Sequence, residues 1–323
     1  MKITHLVNPN GYGHLRRALF FWSRVKAEID LEIWIDHSHV KTLEYFNHSL
    51  GKNIVAKDFS GMITLKSIKT KDFYRKYKEF HESIEKELRL KTSNFIISDN
   101  TLINFKVFPK AQGYILGSFL WSDLDLPKEI IKEEQKIISV NQIELIGIKD
   151  FISTQNELIS KQETGWFIDK TKYTCTDSKN IILFSGGLGE IPKDAIFNYF
   201  RDVLRLFPKY EIHTSHKYQE VLSSTRSFSF KTRDWEKVDF CIGRPGIGTI
   251  SDCITYNIPL IAIGEISNQE IRFNAEKIEE LNIGINYLDK SLDENILRTE
   301  FTGFSAINRE GIKDLKQILG IDE

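Results

Sequence analysis

The chain has 323 residues, which is enough for two domains of ordinary size that each bury a core. Hydrophobic residues make up 41% of the sequence, and this share excludes a largely disordered protein. The formal net charge of −1 provides no overall field that would recruit nucleic acid or an anionic membrane, so we expect no nucleic-acid partner.

The first elements predict a βαβ unit. Ile3–Val7 is an apolar run typical of a buried strand, Leu15–Ala27 repeats apolar residues at helical spacing, and Leu31–Ile35 predicts the next strand. Strands that alternate with helices favour a parallel sheet with right-handed crossovers. The predicted fold class is therefore α/β.

The turn between the first strand and the first helix has the sequence GYGHLR. Gly11 and Gly13, with Asp36 about twenty residues further on, match part of a dinucleotide-binding fingerprint. Arg16 stands where that fingerprint needs a third glycine for close helix packing, which disfavours a nicotinamide enzyme. Arg16 fits either an exposed helix cation or a group that neutralises phosphate and fixes the turn.

His14, in the same turn, is the candidate general base of the first domain. Imidazole exchanges protons near neutral pH, so a histidine that faces a ligand can take the proton of a hydroxyl group or of water. The alternative is a histidine that only satisfies a turn beside a helix N-terminus.

Two further buried strands are predicted at Asn94–Asp99 and Gln112–Leu116. Strand C-termini in open α/β sheets face the ligand crevice, which makes Asp99 and Asn100 candidates for contact with a ligand. An ordinary role in a loop fits both residues equally.

Before these strands, Lys66–Lys78 holds six cations interleaved with aromatic residues. This composition fits a solvated helix face or a contact with an anionic lipid headgroup.

The hydrophobic periodicity fades over Gln162–Ser178, where we predict the interdomain link. Ile181–Phe184 then predicts the first strand of a second sheet. It leads into a glycine turn that opens with Ser185, Gly186 and Gly187.

In the stretch Val238–Ala275 a strand, a glycine turn, a helix and a second strand follow one another. The turn holds Gly246 and Gly248, and we expect the helix to begin at Thr249. Backbone N–H groups at such a turn, together with the partial positive charge of a helix start, suit a diphosphate. Asp252, one turn into the helix, can accept hydrogen bonds from a ribose diol. The alternative is that Thr249 and Asp252 form a capping box.

The next predicted helix has Ser267 and Glu270 at capping-box spacing and carries Asn268 and Gln269 in its first turn. A last amphipathic helix is predicted at Glu310–Leu319.

Two motifs, GYGHLR at the first turn and GRPGIGTISD at 243–252, resemble those of GT-B glycosyltransferases, in particular the branch of the N-acetylglucosaminyltransferase of peptidoglycan synthesis. The resemblance implies two Rossmann-like domains whose parallel sheets face a central cleft. It also implies an acceptor-binding domain over residues 1–165, a nucleotide-sugar-binding domain over residues 178–305, and a C-terminal helix within residues 306–323 that returns to the first domain.

Carried onto this chain, the family's functional residues fall in both domains. His14 becomes the base or the group that positions the acceptor. The acceptor side comprises Gly11, Gly13, Arg16, Asp99 and Asn100. The donor side comprises Ser185, Gly186, Gly187, Gly246, Gly248 and Thr249 for phosphate, Asp252 for ribose, the backbone at Phe230 and Thr232 for the nucleobase, and Asn268 with Gln269 for sugar hydroxyls. The family usually has glutamate where this chain has Asp252.

The resemblance implies a metal-independent glycosyltransferase of hexosyl or N-acetylhexosaminyl type that uses no cofactor. The donor would be a nucleotide-diphospho-sugar, with UDP favoured, and the acceptor a glycan, a lipid-linked sugar or another hydroxyl compound, as in polysaccharide biosynthesis. A nucleotide-sugar hydrolase like those of the pseudaminic acid pathway shares the first motif and the Asn-Gln pair, and it is the alternative. A sugar-nucleotide sensor without turnover is a third class.

Three cysteines without metal-ligand spacing, Cys175, Cys241 and Cys253, fit a reducing compartment. No signal peptide pattern precedes the first strand, and the apolar runs are too short for a membrane span. We therefore expect a cytoplasmic protein that can contact the inner face of the membrane peripherally.

Overall fold

The structure, a computed structural model, describes residues 1–9, 12–25, 29–44, 48–51, 53–58, 75–76, 78–79, 82, 95–100, 112–123, 128–141, 143–168, 180–185, 193–222, 224–264 and 266–321. The chain divides into two compact units. The first unit consists of Met1–Phe167 and Glu310–Glu323, and the second unit of Ile168–Arg309. Each unit is built on a parallel sheet, which confirms the predicted α/β class with two parallel sheets.

The strands of the first unit are β1 (Lys2–Leu6), β2 (Asp30–Asp36), β3 (Ile54–Lys57), β4 (Phe95–Asp99), β5 (Gln112–Leu116), β6 (Ile143–Ile148) and β7 (Ser160–Thr164). Its described helices are α1 (Tyr12–Trp22), α2 (Val40–Leu43), α3 (Lys128–Val140) and, at the end of the chain, α10 (Gly311–Ile318), with 3-10 turns at His37–His39 and Trp121–Asp123.

The first sheet has the strand order β3-β2-β1-β4-β5-β6-β7, so the direction of chain progression reverses between β1 and β4. These two strands are neighbours in parallel register, with Ile3 opposite Phe95 and Leu6 opposite Ser98. In open parallel sheets the ligand crevice lies outside the carboxyl ends of the strands at such a switch point. The first turn and Asp99 therefore lie at the same edge of the sheet.

One face of the first sheet is covered by α1 together with α10. Leu15 of α1 and Leu315 of α10 are buried in the same apolar cluster as Ile3. Each fully buried leucine contributes about 1.5–3 kcal/mol relative to an exposed one. The Asp314 carboxylate also accepts a hydrogen bond at 2.7 Å from the backbone N–H of Gly165. The last helix is thus an integral part of the first unit.

The strands of the second unit are β8 (Ile181–Ser185), β9 (Glu211–Thr214), β10 (Arg226–Ser227), β11 (Val238–Gly243), β12 (Leu260–Ala262) and β13 (Gly284–Asn286), in the order β10-β9-β8-β11-β12-β13. Its described helices are α4 (Lys193–Leu206), α5 (His216–Gln219), α6 (Thr232–Trp235), α7 (Ile247–Tyr256), α8 (Gln269–Glu280) and α9 (Asn295–Arg298), with a 3-10 turn at Gly303–Ala306. The switch point lies between β8 and β11, where Ser185 pairs with Gly243.

Two helices of the second unit begin at other residues than the sequence predicts. Helix α7 starts at Ile247 with Gly246 as its N-cap, because Gly246 has the extended backbone that a cap requires (φ −75°, ψ 151°). The predicted start at Thr249 is therefore wrong, and so is the capping-box alternative for Thr249 and Asp252. In α8 the cap is Asn268, whose side chain accepts the N–H of Ile271 at 3.1 Å, rather than Ser267.

The sequence also misses β7, which occupies the start of the predicted link. Its residues are largely polar and partly exposed because it is the edge strand of the first sheet. Such a strand shows little of the apolar alternation by which strands are recognised.

Most of the basic segment Lys66–Lys78 lies outside the described residues. Within the described part of the chain, every helix is too short or too polar to cross a membrane.

Candidate active site

His14 lies in the first turn of α1, at the carboxyl edge of the first sheet. Its side chain is 20% exposed, so the ring is held by the protein while part of it remains accessible. Gly13 beside it is exposed, and nothing lies within 4 Å of the position that a Cβ would take there. Arg16 is also exposed, whereas Gly11 lies outside the described residues. The helix start therefore presents His14 rather than burying it.

Asp99, the last residue of β4, is completely buried beneath this histidine. Its Oδ1 atom accepts a hydrogen bond from Arg17 Nη2 at 2.5 Å and lies 3.9 Å from His14 Nδ1. Its Oδ2 atom lies 3.5 Å from Nε2 of His5 in β1. Two residues that the sequence assigned to one side of the site, His14 and Asp99, are thus brought together by the pairing of β1 with β4.

The Asp99 carboxylate is ionised. Burial alone would raise its pKa, but the Arg17 charge and the nearby imidazoles of His14 and His5 outweigh burial, so the pKa of Asp99 lies well below its ordinary value. An ionised carboxylate next to an imidazole fixes the orientation of the ring and stabilises its protonated form. The pair therefore has the chemistry of a general base with its orienting acid.

Arg17 contacts both Asp99 and His14. Arg17 Nη2 donates to Asp99 Oδ1 at 2.5 Å and lies 3.4 Å from the carbonyl oxygen of Leu116. His14 Nδ1 lies 3.5 Å from the same Nη2 atom and 3.9 Å from Asp99 Oδ1. Nδ1 thus faces a donor, the Arg17 guanidinium, and an acceptor, the Asp99 carboxylate, so either tautomer of the His14 ring has a partner at this atom.

Asn100 follows Asp99 in a left-handed conformation, with φ of 47°, which asparagine tolerates better than most residues. Its carbonyl oxygen accepts the indole N–H of Trp121. Its side chain lies over Gly117, where an added Cβ would be 1.6 Å from Asn100 Oδ1. The structure therefore gives Asn100 a turn-forming position, and its contact with an acceptor stays a prediction.

The glycine turn of the second unit follows β11 and leads directly into α7. An added Cβ at Gly243 would lie 2.1 Å from the carbonyl oxygen of Ser185, so only glycine lets the two strands end side by side. The α7 N-cap, Gly246, has no side-chain cap, and the first turn of the helix holds no acidic residue. The first N–H groups of such a helix need a partner from outside it. Gly186 and Gly187 lie outside the described residues.

Buried side chains hold this turn in place. Asn274 of α8 is completely buried, and its Nδ2 donates to the carbonyl oxygen of Pro245 at 2.9 Å. The backbone N–H of Arg244 donates to the carbonyl oxygen of Ser185 at 3.3 Å. Burial lowers the pKa of Arg244, while the charge of Glu270 opposes that shift. The turn thus combines fixed backbone with a half-buried cation.

The remaining donor-side residues lie on the helices that flank the turn. Gly248 and Thr249 are in the first turn of α7, and Asp252 is one turn further along the same helix, half-buried. Asn268 uses its side-chain oxygen in the cap of α8, and Gln269 is the first residue of that helix. Of the Asn268 side chain, the NH2 group therefore remains to bind a ligand.

Phe230 and Thr232 lie at the start of α6, after β10. Phe230 has a φ of 57° and is 39% exposed, an unusual backbone for an aromatic residue. The Asp234 carboxylate supports this conformation, since it accepts hydrogen bonds from the backbone N–H of Ser229 at 3.3 Å and from the Ser229 hydroxyl. Phe228 packs edge-on against Phe230, with ring centroids 5.0 Å apart. The loop is thus held rigidly, as a backbone contact with a ligand would need.

Sequence reasoning missed four residues that shape these sites: Arg17, His5, Arg244 and Asn274. Arg17 could have been found, because it is three residues from His14 and hence on the same helix face. His5 offered a weaker signal, a titratable residue inside a strand that was predicted to be buried. The contacts of Arg244 and Asn274 depend on how α7 and α8 pack, which periodicity does not reveal.

Comparison with known proteins agrees with this geometry. The family model of the glycosyltransferase family 28 C-terminal domain matches residues 207–303, which include β11, the glycine turn and α7. Among curated proteins, none matches the chain significantly in sequence.

Solved structures resemble the whole chain at low sequence identity. The spinosyn forosaminyltransferase SpnP has a TM-score of 0.67 at 12% identity, with 99% of this chain and 98% of that chain covered. UGT89C1 of Arabidopsis thaliana, in complex with UDP-L-rhamnose, has a TM-score of 0.63 at 11% identity, with 98% and 93% covered. LpCGTa in complex with UDP has a TM-score of 0.65 at 10% identity, with 99% and 98% covered. The chain thus has the GT-B fold, and residues 207–303 of its second unit are similar to the glycosyltransferase family 28 C-terminal domain.

Proposed function

We propose that the protein is a glycosyltransferase that moves a hexosyl or N-acetylhexosaminyl group from a nucleotide-diphospho-sugar to a hydroxyl group of a carbohydrate or lipid-linked acceptor. The observation that carries this proposal is the accessible imidazole of His14 with its Nδ1 facing the buried, ionised Asp99. The family 28 match over the second unit supports the nucleotide-sugar as donor.

In the proposed reaction His14 is the base. Its Nε2 atom takes the proton of the acceptor hydroxyl as that oxygen attacks the anomeric carbon of the donor sugar. The bond from this carbon to the β-phosphate oxygen breaks, and its electron pair leaves with the nucleotide diphosphate. Asp99 holds Nδ1–H and stabilises the imidazolium that forms. We expect the reaction to need neither a cofactor nor a metal ion, because the base is a side chain and backbone N–H groups at the glycine turn of the second unit would stabilise the departing diphosphate.

The second unit would bind the donor at the carboxyl edge of its sheet. N–H groups at Gly246, Gly248 and Thr249 suit the diphosphate, because the α7 N-terminus lacks a side-chain cap and an acidic residue. Asp252 would bind the ribose hydroxyls. UDP is the favoured nucleotide: UGT89C1 and LpCGTa are solved with UDP, while VinC is solved with dTDP.

The outer parts of the donor are assigned to flanking loops. Ser185, with the adjoining turn at Gly186 and Gly187, would border the phosphates, since Ser185 pairs with Gly243 at the switch point. The backbone at Phe230 and Thr232 would contact the nucleobase. Asn268, through its amide, and Gln269 would contact sugar hydroxyls. We place the protein in the cytoplasm, where nucleotide-sugars are made, with polysaccharide biosynthesis as its setting.

A panel of UDP-, dTDP- and GDP-sugars tests the proposal, with thermal stabilisation and release of nucleotide diphosphate measured with and without hydroxyl acceptors. One donor should stabilise the wild type, and Asp252→Asn should weaken that effect. Release should need an acceptor and should be lost in His14→Gln. Rapid release without an acceptor would instead establish a nucleotide-sugar hydrolase with water in place of the acceptor. If no nucleotide binds, the proposal is wrong.

A further inference from the structure

A chain of buried side chains lies behind Asp99, on the side away from His14. Trp22 of α1 donates its indole N–H to His5 Nδ1 at 2.8 Å, and His5 Nε2 lies 3.5 Å from Asp99 Oδ2. All three residues are buried, with Trp22 exposed by 7%, His5 by 1% and Asp99 by 0%. The imidazole of His5 is therefore confined between an indole and a carboxylate.

The hydrogen bond from Trp22 determines the tautomer of His5. An indole N–H can only donate, so His5 Nδ1 must accept and the ring hydrogen must be on Nε2. Within the described residues, neither His5 Nε2 nor Asp99 Oδ2 has another hydrogen-bond partner. The two atoms therefore face each other as donor and acceptor, a few tenths of an ångström beyond a normal hydrogen-bond distance.

The carboxylate is consequently held at both oxygens. Oδ2 faces the His5 donor, and Oδ1 accepts the short hydrogen bond from Arg17. A donor at each oxygen opposes rotation of the carboxylate plane, which keeps Oδ1 on the side of His14 Nδ1, 3.9 Å away. If Arg17 were its only partner, the Asp99 carboxylate could rotate with the guanidinium, and Oδ1 would no longer orient the His14 ring.

We propose that His5 and Trp22 are positioning residues, which hold Asp99 so that His14 keeps the Nδ1–H tautomer and presents the Nε2 lone pair. The inference rests on the proposed role of His14 as the base. Stability alone does not explain this arrangement. Replacing a buried ionic cluster by apolar residues of similar volume often leaves a protein as stable as before or makes it more stable.

The test is a set of variants in which the ring tautomers of His5 and His14 are measured separately. His5→Leu removes the donor to Asp99, and His5→Gln keeps a donor near the position of Nε2. Trp22→Phe removes the indole hydrogen bond but keeps an aromatic ring. Trp34→Phe is the matched control, because Trp34 makes an indole hydrogen bond of 2.9 Å to Glu32 in the same sheet.

Nitrogen-15 NMR of the histidine rings in the full-length protein shows which nitrogen carries the hydrogen. We expect His5 in the Nε2–H form and His14 in the Nδ1–H form in the wild type and in Trp34→Phe. In His5→Leu, His14 should shift toward the Nε2–H form, and His5→Gln should partly restore the wild-type state. In Trp22→Phe, His5 should populate both tautomers. If His5→Leu fails to fold, Trp22→Phe decides the question on its own.

Kinetics provide the second readout. His5→Leu should lower kcat about tenfold to a hundredfold, at or below the lower end of the roughly 10²–10⁴-fold that a general base supplies, with the KM for the donor unchanged. The inference is overturned if His5 carries its hydrogen on Nδ1, if the His14 tautomer is the same in His5→Leu as in the wild type, or if only the melting temperature changes. If the wild type turns over no nucleotide-sugar, the proposed function fails, and the tautomers still decide the positioning role.

Discussion

Replacing Asp99 by asparagine should destabilise the first unit because it leaves Arg17 without its counterion. At the observed N–O distance of 2.5 Å the Coulomb attraction is about 7 kcal/mol with an effective dielectric constant of about 20. Desolvation of the buried carboxylate offsets several kcal/mol of this attraction. Removing one partner of such a pair typically costs about 3–5 kcal/mol. Since the Arg17 side chain is 16% exposed and keeps some hydration, we expect a loss of about 3 kcal/mol in the free energy of unfolding, near the lower limit of that range.

Urea unfolding of the full-length chain, followed by tryptophan fluorescence, measures this loss. Trp22, Trp34, Trp121 and Trp166 lie in the first unit and only Trp235 in the second, so the signal reports mainly on the first unit. The double variant Asp99→Asn/Arg17→Gln removes both charges, and it should recover about 2 kcal/mol of the loss. The reasoning would be refuted if Asp99→Asn lost less than about 1 kcal/mol in the free energy of unfolding. It would also be refuted if the loss in the double variant equalled the sum of the losses in Asp99→Asn and Arg17→Gln.

Three further predictions concern catalysis, pH and packing. His14→Ala should lower kcat about 10²–10⁴-fold while calorimetry finds unchanged donor affinity, and an equal loss of affinity would contradict its role as a base. The folded-state pKa of Asp99 is below its ordinary value of 3.8, so the stability it contributes is present above that pH and is lost as the pH falls below it. Unfolding at pH 3 and pH 6 should therefore differ more in the wild type than in Asp99→Asn/Arg17→Gln. Gly243→Ala should lower the free energy of unfolding by about 3 kcal/mol because its Cβ would meet the Ser185 carbonyl, whereas Gly246→Ala, with open space around it, should lower it by less than about 1 kcal/mol, as measured by urea unfolding followed by circular dichroism. Equal losses would show that the strands can separate to admit a methyl group.

Local chemistry explains which parts of the site could be read from the sequence. The strand before Gly243, the glycine turn and the helix after it depend on residues that are neighbours in the chain, so their type and order were predicted correctly. Boundaries were less accurate. The helix start at Ile247 instead of Thr249 follows from the extended backbone of Gly246, which competes with Thr249 as a cap.

The sequence by itself determined the alternation of strands and helices, the glycine turn before α7 and the candidate base, because periodicity and backbone chemistry act over a few residues. Only the tertiary structure decided what surrounds that base. Arg17 and Asp99 are 82 residues apart in the chain, and they meet because β1 pairs with β4 across the switch point. The same pairing places His5 behind Asp99, and the packing of α10 places Leu315 in the core of the first unit. Such contacts depend on strand order. Strand order arises from burial of the whole sheet, so it cannot be predicted from any short stretch of sequence.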